Sequence, residues 1–221
     1  MRIRDVAGGF AVGLALAIGA GWVTARGASG VRGGQEPPPG MSPEALAMVQ
    51  AMKSAHDNPG EPGAFHRKLE RFIGEWDVTV RVWMMGPDLP PLESPGASKI
   101  DWVLGGRFTM ETITADLNMG GMAVQMESML VSGYDNYRNI YVGTLMGNTS
   151  TEIIPYQGGV SLDGRTFNHY GTMHEPMLNV SGRMIRFETV IEDDDHHTTA
   201  VYDLHAGEDY KVLEFAYARK R

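Results

Sequence analysis

The stretch Gly74-Glu75-Trp76-Asp77-Val78-Thr79-Val80-Arg81-Val82 decides the fold. From Trp76 onward its apolar residues occupy every second position, and the residues between them are charged or polar. Successive side chains of a β-strand point to opposite faces, so this alternation predicts a strand with one buried face. The other face would be wet or would line a cavity.

About nine further runs of this kind follow, which gives about ten predicted strands. Turn signals such as Gly105-Gly106, Gly120-Gly121 and Asp163-Gly164 separate them and favour antiparallel neighbours. No long helical run interrupts the series, which argues against a parallel sheet. Because closure removes exposed strand edges, we predict an all-β fold, an antiparallel up-and-down barrel. The further runs lie at about 100–104, 108–117, 122–132, 140–146, 151–157, 166–173, 184–192, 198–204 and 210–218.

Composition limits the classes of function. The 221 residues are 43% apolar, enough for one good core and against disorder throughout. A formal net charge of −8 repels phosphate backbones, so we expect no nucleic-acid partner. The absence of cysteine excludes disulfides, thiolate metal sites and a cysteine nucleophile. The sequence also lacks nucleophile-elbow and phosphate-loop motifs, and we predict neither a cofactor nor a metal site.

The N-terminus has the pattern of an export signal. Arg2 and Arg4 precede an uncharged run from Val6 to Val23, and Ala25 suits the position before a cleavage site. We therefore expect residues 1–25 to be a signal peptide and the protein to be exported, periplasmic or secreted. The alternative is an uncleaved anchor, since the run just reaches the length of a membrane helix. A membrane partner is expected only in that case.

The next segment, residues 26–63, is predicted to be a flexible linker that contains one short helix. The helix would begin with Ser42 as N-cap and Pro43 in the first turn, and Leu46, Val49 and Met52 could line one face. A second short helix is predicted from Ala64 to Ile73, with Phe65, Leu69 and Phe72 on its buried side. The barrel domain is assigned to residues 64–221.

Two sets of residues resemble known families. Gly74-x-Trp76 after a short helix resembles the start of lipocalin-like (calycin) barrels, in which this tryptophan packs at the closed end under a cationic side chain of the last strand. The resemblance implies structural roles for Trp76 and for Arg219, with Lys220 as the second candidate for the cation. A cation over an indole face contributes about 0.5 to 2 kcal/mol.

A wider resemblance covers residues 64–220 and points to the bacterial domain-of-unknown-function family numbered 1579. It implies a fold and no established chemistry. One departure follows Tyr141-Val142-Gly143, where the family tends to carry a tryptophan and an acidic residue and this chain has Leu145 and Met146. The resemblance rests on ordered blocks: His66-x-x-Leu69, Gly74-x-Trp76, Leu104-Gly105-Gly106-Arg107-Phe108, Gly133-Tyr134-Asp135, Leu162-Asp163-Gly164, Arg186 with 192–195, and Lys211-Val212-Leu213-Glu214 with Tyr217-x-Arg219.

A barrel of this size can enclose one small ligand. The arginines among the candidates would either select an anionic group such as a carboxylate or pair with Glu111, Glu188 or Glu214 and only hold the structure. The acids Glu111 and Glu127 could meet on adjacent strands, although nothing singles them out. The predicted ligand-binding residues, chosen as aromatic or cationic positions that would face inward, are Trp102, Arg107, Tyr141, Tyr170, Arg186 and Tyr217.

Histidines and methionines are the remaining candidates for chemistry. His169 and His174 would face opposite sides of a regular strand, so a shared metal needs a bulge between them, for which Gly171 is the candidate position. The run Asp193-Asp194-Asp195-His196-His197 is interpreted as a solvated turn rather than a chelating site. Fifteen methionines are interpreted as core or pocket filler rather than a Cu(I) site.

Three hypotheses of function follow. The first is an exported lipocalin-like barrel that binds a small apolar or amphiphilic molecule. The second is an enzyme that uses the same cavity, with His169 or His174 as general base or as a haem or metal ligand. The third is a ligand-free interaction module of the cell envelope.

Overall fold

The computed structural model describes residues 40–175 and 179–221, and the predicted signal peptide lies outside them. Two α-helices, α1 (Pro43–Asp57) and α2 (Ala64–Arg67), and a 3-10 helix (Lys68–Phe72) precede the sheet. Within the described residues the strands are β1 (Gly74–Val82), β2 (Leu92–Val103), β3 (Phe108–Met119), β4 (Met122–Asp135), β5 (Ile140–Gly147), β6 (Ile154–Val160), β7 (Thr166–Glu175), β8 (Val180–Ile191), β9 (His196–Asp203) and β10 (Lys211–Arg219).

The strands form one closed antiparallel barrel in which each strand pairs with its neighbours in sequence. The barrel closes between the first and last strands, where Trp76 stands opposite Arg219 and Val82 opposite Leu213. All-β architecture, antiparallel pairing and closure were predicted from the alternating pattern, and all three are confirmed. In β1 the alternation works as expected, because Trp76, Val78 and Val80 are buried in the core.

The helices close one end of the barrel. Ser42 caps α1 by accepting a hydrogen bond from the backbone of Ala45, and Pro43 occupies the first turn, as predicted. Ala55 at the end of α1 is buried with Phe65 and Leu69 of the next helical turns against Tyr134 and Tyr141 of the barrel. The other end, which carries the β1–β2, β3–β4, β5–β6 and β9–β10 connections, is open.

The short helix predicted within residues 26–63 is present as α1. This helix packs against the barrel end through Met48, Ala51, Met52 and Ala55, whereas the predicted face residue Val49 is exposed. None of the described helices is long and apolar enough to cross a membrane.

The second strand begins at Leu92, eight residues before its predicted start at 100. Its first half carries Ser94, Gly96 and Ser98 on the inner face, so the apolar alternation that signals a strand is absent. The small residues answer a steric need, because a Cβ on Gly96 would lie 2.7 Å from the backbone oxygen of Thr114 on β3. The strands approach too closely there for a larger side chain.

Candidate ligand cavity

The barrel encloses a cavity of about 830 Å³ lined by side chains of nine strands and the 3-10 helix. From the closed end to the open end, the side chains of the cavity wall form successive layers. Aromatic and aliphatic side chains such as Phe72 and Phe167 form a floor at the closed end, and Tyr141 lies beside them. Above the floor lies a layer of hydroxyl, carboxyl and imidazole groups, then an apolar layer, and then a charged rim at the open end.

The polar layer consists of hydroxyl, carboxyl and imidazole side chains that line the cavity in the half of the barrel nearest the helices. The hydroxyl of Ser98 donates to Oε1 of Glu111 at 2.7 Å. The hydroxyls of Tyr156 and Ser132 share a hydrogen bond of 2.6 Å, and those of Thr189 and Thr199 share one of 2.9 Å. The cavity-lining members of the layer are Thr109, Glu111, Ser132, Tyr156, His169, Thr189, His197, Thr199 and Tyr217.

Burial shifts the pKa of each titratable group in the polar layer toward its uncharged form. It raises the pKa of Glu111, an effect that the hydroxyls of Ser98 and Tyr217 oppose only in part, and it raises the pKa of the Tyr156 and Tyr217 phenols. Burial also lowers the pKa of His169 to about 4 and that of His197 to about 3. A charged form loses its hydration in such a site, so burial favours the neutral form of the acids and of the histidines alike.

The apolar layer adjoins the polar layer, with Leu130 opposite Glu111 and Phe187 opposite His169, and extends toward the open end. Its aliphatic, thioether and phenyl side chains present a large apolar surface to the cavity. It consists of Ile113, Met126, Leu130, Leu145, Ile154, Met173, Ile185, Phe187, Val201, Leu213 and Phe215.

The rim carries charges that are already paired. Arg183 forms an ion pair with Asp203, and this partner lowers the pKa of the Asp203 carboxyl. Glu152 accepts a hydrogen bond of 2.9 Å from the backbone N–H of His174, and the imidazole Nδ1 of His174 accepts one from Gly182. Charge at the rim is therefore used largely to hold neighbouring strands together.

The floor is braced from outside by Arg219. Its guanidinium carbon lies 4.1 Å from the centre of the Trp76 ring, and it donates to the carbonyls of Ile73 and Arg71. On the inner side of Trp76 the ring of His197 stacks on Tyr217 with 4.1 Å between centroids. This is the arrangement that the lipocalin-like Gly-x-Trp start implies for Trp76 and Arg219.

The six predicted ligand-binding residues divide into two groups. Tyr141 and Tyr217 line the cavity, and the hydroxyl of Tyr141 donates to the carbonyl of Phe65 at 2.9 Å. Trp102 is on an inward-facing position but lies at the closed end, where it packs beside the helices. Arg107 is also at that end and donates to the carbonyl of Gly60 at 2.7 Å, so it ties the loop before α2 to the barrel.

Tyr170 and Arg186 lie on the outer wall. They stand opposite each other on β7 and β8, and Tyr170 is 46% exposed. The guanidinium of Arg186 lies 4.2 Å from the centre of the Tyr202 ring rather than in the cavity. Tyr170 and Arg186 do not line the cavity, because the adjacent His169 and Phe187 take the inward positions of their strands. Trp102 and Arg107 do not line it either, because they lie at the closed end beside the helices.

The structure also gives the positions of the histidine candidates and of the acidic turn. A strand irregularity between Met173 and Glu175, rather than at Gly171, lets both His169 and His174 border the cavity. In the described residues no three histidine, aspartate or glutamate side chains form a metal-binding group. In the acidic turn, Asp193 pairs with His196 at 2.9 Å and Asp194 with Arg71 at 3.0 Å, as in a solvated loop.

Sequence reasoning missed the centre of the polar layer. Glu111 stands opposite Leu130 on β4, whereas Glu127 is exposed on the outer wall, so the two acids do not meet. Tyr156 lies over Gly143, where a Cβ would come within 2.5 Å of its ring. The signal was available in the parity of each strand, because Glu111 shares its parity with the buried Ile113.

Comparison with known proteins fits this architecture. A family model described as "Protein of unknown function (DUF1579)" matches residues 61–219. The chain belongs to the DUF1579 family. No curated protein matches this DUF1579 chain in sequence.

Solved structures resemble the DUF1579 barrel at low identity. The crystal structure of Rv2717c from M. tuberculosis is 14% identical, with a TM-score of 0.50 over 73% of this chain and 100% of that chain. The S-type phycobiliprotein lyase CPES from Guillardia theta is 11% identical, with a TM-score of 0.47 over 70% and 92%. A redesigned β-barrel, b11L5F_LGL, is 10% identical, with a TM-score of 0.36 over 70% and 96%. The likeness to Rv2717c concerns the fold alone.

Proposed function

We propose that this DUF1579 protein binds a small, largely apolar or amphiphilic molecule inside its barrel. The observation that carries the proposal is the interior cavity of about 830 Å³. Pockets for small molecules usually measure about 300 to 1,000 Å³ and are mostly apolar with a few polar groups. Side chains could have filled the barrel, as they do in purely structural ones, and the cavity therefore argues against the ligand-free module.

A matched pair of substitutions tests the proposal. Leu130 lines the cavity, and the adjacent Met129 lies on the outer wall of the same strand. Leu130→Trp should fill part of the cavity and weaken displacement of a bound hydrophobic dye by at least about tenfold, whereas Met129→Trp should leave it close to wild type. Circular dichroism and thermal unfolding of both variants provide the control for folding.

Native mass spectrometry supplies an independent measurement. Protein purified from its own host should retain a small molecule that Leu130→Trp no longer carries. Repeatedly empty spectra, together with no dye binding by the wild type, would refute the proposed binding function.

A histidine-dependent enzyme in the same cavity is the second candidate. The observation that favours it is His169, whose ring borders the cavity and whose pKa is lowered by burial alone. A neutral imidazole of this kind can accept a proton or ligate a metal. Metal analysis and an absorption spectrum of the purified protein, compared with His169→Phe, test this candidate. A colourless, metal-free protein that turns over no retained ligand would count against it.

We also propose that the protein is exported after cleavage following Ala25. The proposal rests on the sequence pattern of residues 1–25. N-terminal sequencing of the protein from its host should give Arg26 as the first residue. A mature chain that begins at Met1 and sediments with membranes would favour the uncleaved anchor instead.

A further inference from the structure

The polar layer of the cavity has an unusual electrostatic character. Among the described residues, Arg183 is the only arginine or lysine that lines the cavity, and it lies at the rim in an ion pair with Asp203. The groups deeper in the barrel are a carboxyl, two imidazoles and several hydroxyls. The interactions that shift the pKa of Glu111 include none with a cation.

We propose, resting on the binding function above, that the polar layer receives an uncharged carbonyl or hydroxyl head group, so that the ligand is a neutral amphiphile. Glu111, hydrogen-bonded to Ser98, and the phenol of Tyr156 supply the polar partners for this head. The apolar layer then covers the body of the molecule, and the charged rim remains in contact with water.

An anionic head is disfavoured because nothing in this layer balances its charge. A carboxylate moved to this depth would lose its hydration and would approach Glu111 without meeting a cation. The candidate arginines that sequence analysis assigned to an anionic ligand lie elsewhere: Arg107 bonds the loop before α2, and Arg186 covers Tyr202 on the outer wall.

An ammonium head is disfavoured for a different reason. It would need an ionised Glu111 as its counter-ion, and burial, which raises the pKa of Glu111, opposes that ionisation. Bringing two charges together in an apolar site costs desolvation that the new ion pair often fails to recover. A neutral head avoids this cost and exchanges hydrogen bonds with water for hydrogen bonds with the wall.

Three probes of equal chain length separate these alternatives. 2-Decanone, decanoate and decylammonium differ only in the polar end, and each is titrated against a bound hydrophobic dye at pH 7. The ketone should displace the dye at concentrations at least about tenfold lower than either ion, because neither ion recovers its lost hydration in this layer. A ranking in which decanoate or decylammonium binds as tightly as the ketone would overturn the proposal.

Substitutions then locate the head group. Glu111→Leu should lower the affinity for 2-decanone by about tenfold, and Glu111→Gln, which keeps a neutral polar group, should recover most of that loss. The matched control is Glu127→Leu, because Glu127 is an exposed acid on the outer wall. If Glu111→Leu does not fold, Ser132→Ala gives the same test at the partner of Tyr156.

The two proposals fail in different ways. Dye binding that Leu130→Trp abolishes, together with equal affinity for all three probes or with a ketone affinity that no polar-layer variant changes, would leave the binding function standing and refute the neutral head-group site. Absence of any dye or probe binding would refute the binding function itself.

Discussion

Arg219 makes three kinds of contact with a single side chain: it lies over the Trp76 ring, it donates to three backbone carbonyls, and it approaches Asp195 at 3.5 Å. Cation–π contact is worth about 0.5 to 2 kcal/mol, and a hydrogen bond from a charged group about 1.5 to 3 kcal/mol. The side chain thus fixes the chain before β1 to the end of β10.

We therefore predict that Arg219→Ala lowers the free energy of unfolding by about 2 to 4 kcal/mol. Arg221→Ala is the control, because its side chain is 89% exposed and its pairing with Asp195 is worth little. Urea denaturation followed by tryptophan fluorescence measures both. A loss for Arg219→Ala no larger than that for Arg221→Ala would contradict the bracing role.

His197 predicts a dependence of stability on pH. Burial, with a smaller contribution from Arg219, lowers its folded pKa to about 3, whereas an unfolded histidine titrates at about 6.5. Between these values the unfolded chain binds more protons, so the stabilisation is full above about pH 6.5 and is lost as the pH falls. Each pH unit in this window costs about 1.4 kcal/mol at this site.

His197→Phe keeps a ring against Tyr217 and removes the titration. The variant should lose about 1.4 kcal/mol less than wild type between pH 6 and pH 5 in urea denaturation. His205→Phe, at an exposed position, should keep the wild-type dependence. Equal pH dependence in all three proteins would show that His197 is not held neutral by the fold.

At the residue scale, sequence predicted the closed-end pair and missed most of the cavity wall. Trp76 belongs to the Gly74-x-Trp76 motif, which predicts its position at the closed end of the barrel. Arg186 and Phe187 carry no such mark, because both the inner and outer faces of β8 mix polar with apolar side chains. Only the register with β7 and β9 decides which of the two faces inward.

The first half of β2 is an element whose small inward residues permit a close approach to β3. Gly96 stands opposite Ala115, and a Cβ there would lie 2.7 Å from the Thr114 oxygen. Gly96→Val should lower the free energy of unfolding by about 1 to 3 kcal/mol, since overpacking forces the strands apart. Ala97→Val, on the opposite face of the strand, should change it by less than about 0.5 kcal/mol.

The helix α1 is an element whose role depends on one buried position. Ala55 is packed among the rings at the closed end, and Ala47 is exposed on the same helix. Ala55→Glu should lower the thermal midpoint by several degrees, because it buries an unpaired carboxyl, whereas Ala47→Glu should not. Equal midpoints for the two variants would mean that α1 does not contribute to the stability of the barrel end.

Helix starts and turns were predictable at this scale because Ser42, Pro43 and the paired glycines determine backbone geometry locally. The packing of α1 was not, since apolar residues lie on both sides of the helix: Met48, Ala51, Met52 and Ala55 meet the barrel, whereas Ala47 and Val49 are exposed. Which face meets the barrel depends on the shape of the closed end, and that shape is formed by residues far away in sequence.

For the whole molecule, closure makes a prediction that an open sheet would not. The first and last strands pair over seven positions from Trp76 to Val82, so neither presents a free edge. Native-state hydrogen exchange should therefore protect the amides that join β1 to β10 as strongly as those of the β3–β4 pair. Rapid exchange confined to β1 and β10 would show that the barrel opens at this seam.

Closure of one barrel end by the helices also has a consequence for the rates of ligand binding and release. A ligand would enter and leave the cavity by the same open end, so narrowing that end slows association and dissociation by a common factor. Residence time would then lengthen while the equilibrium constant stays fixed, provided that the altered loops do not touch the guest. Since the sequence has no cysteine, a single engineered disulfide between loops at the open end could form without competing thiols and would set that residence time.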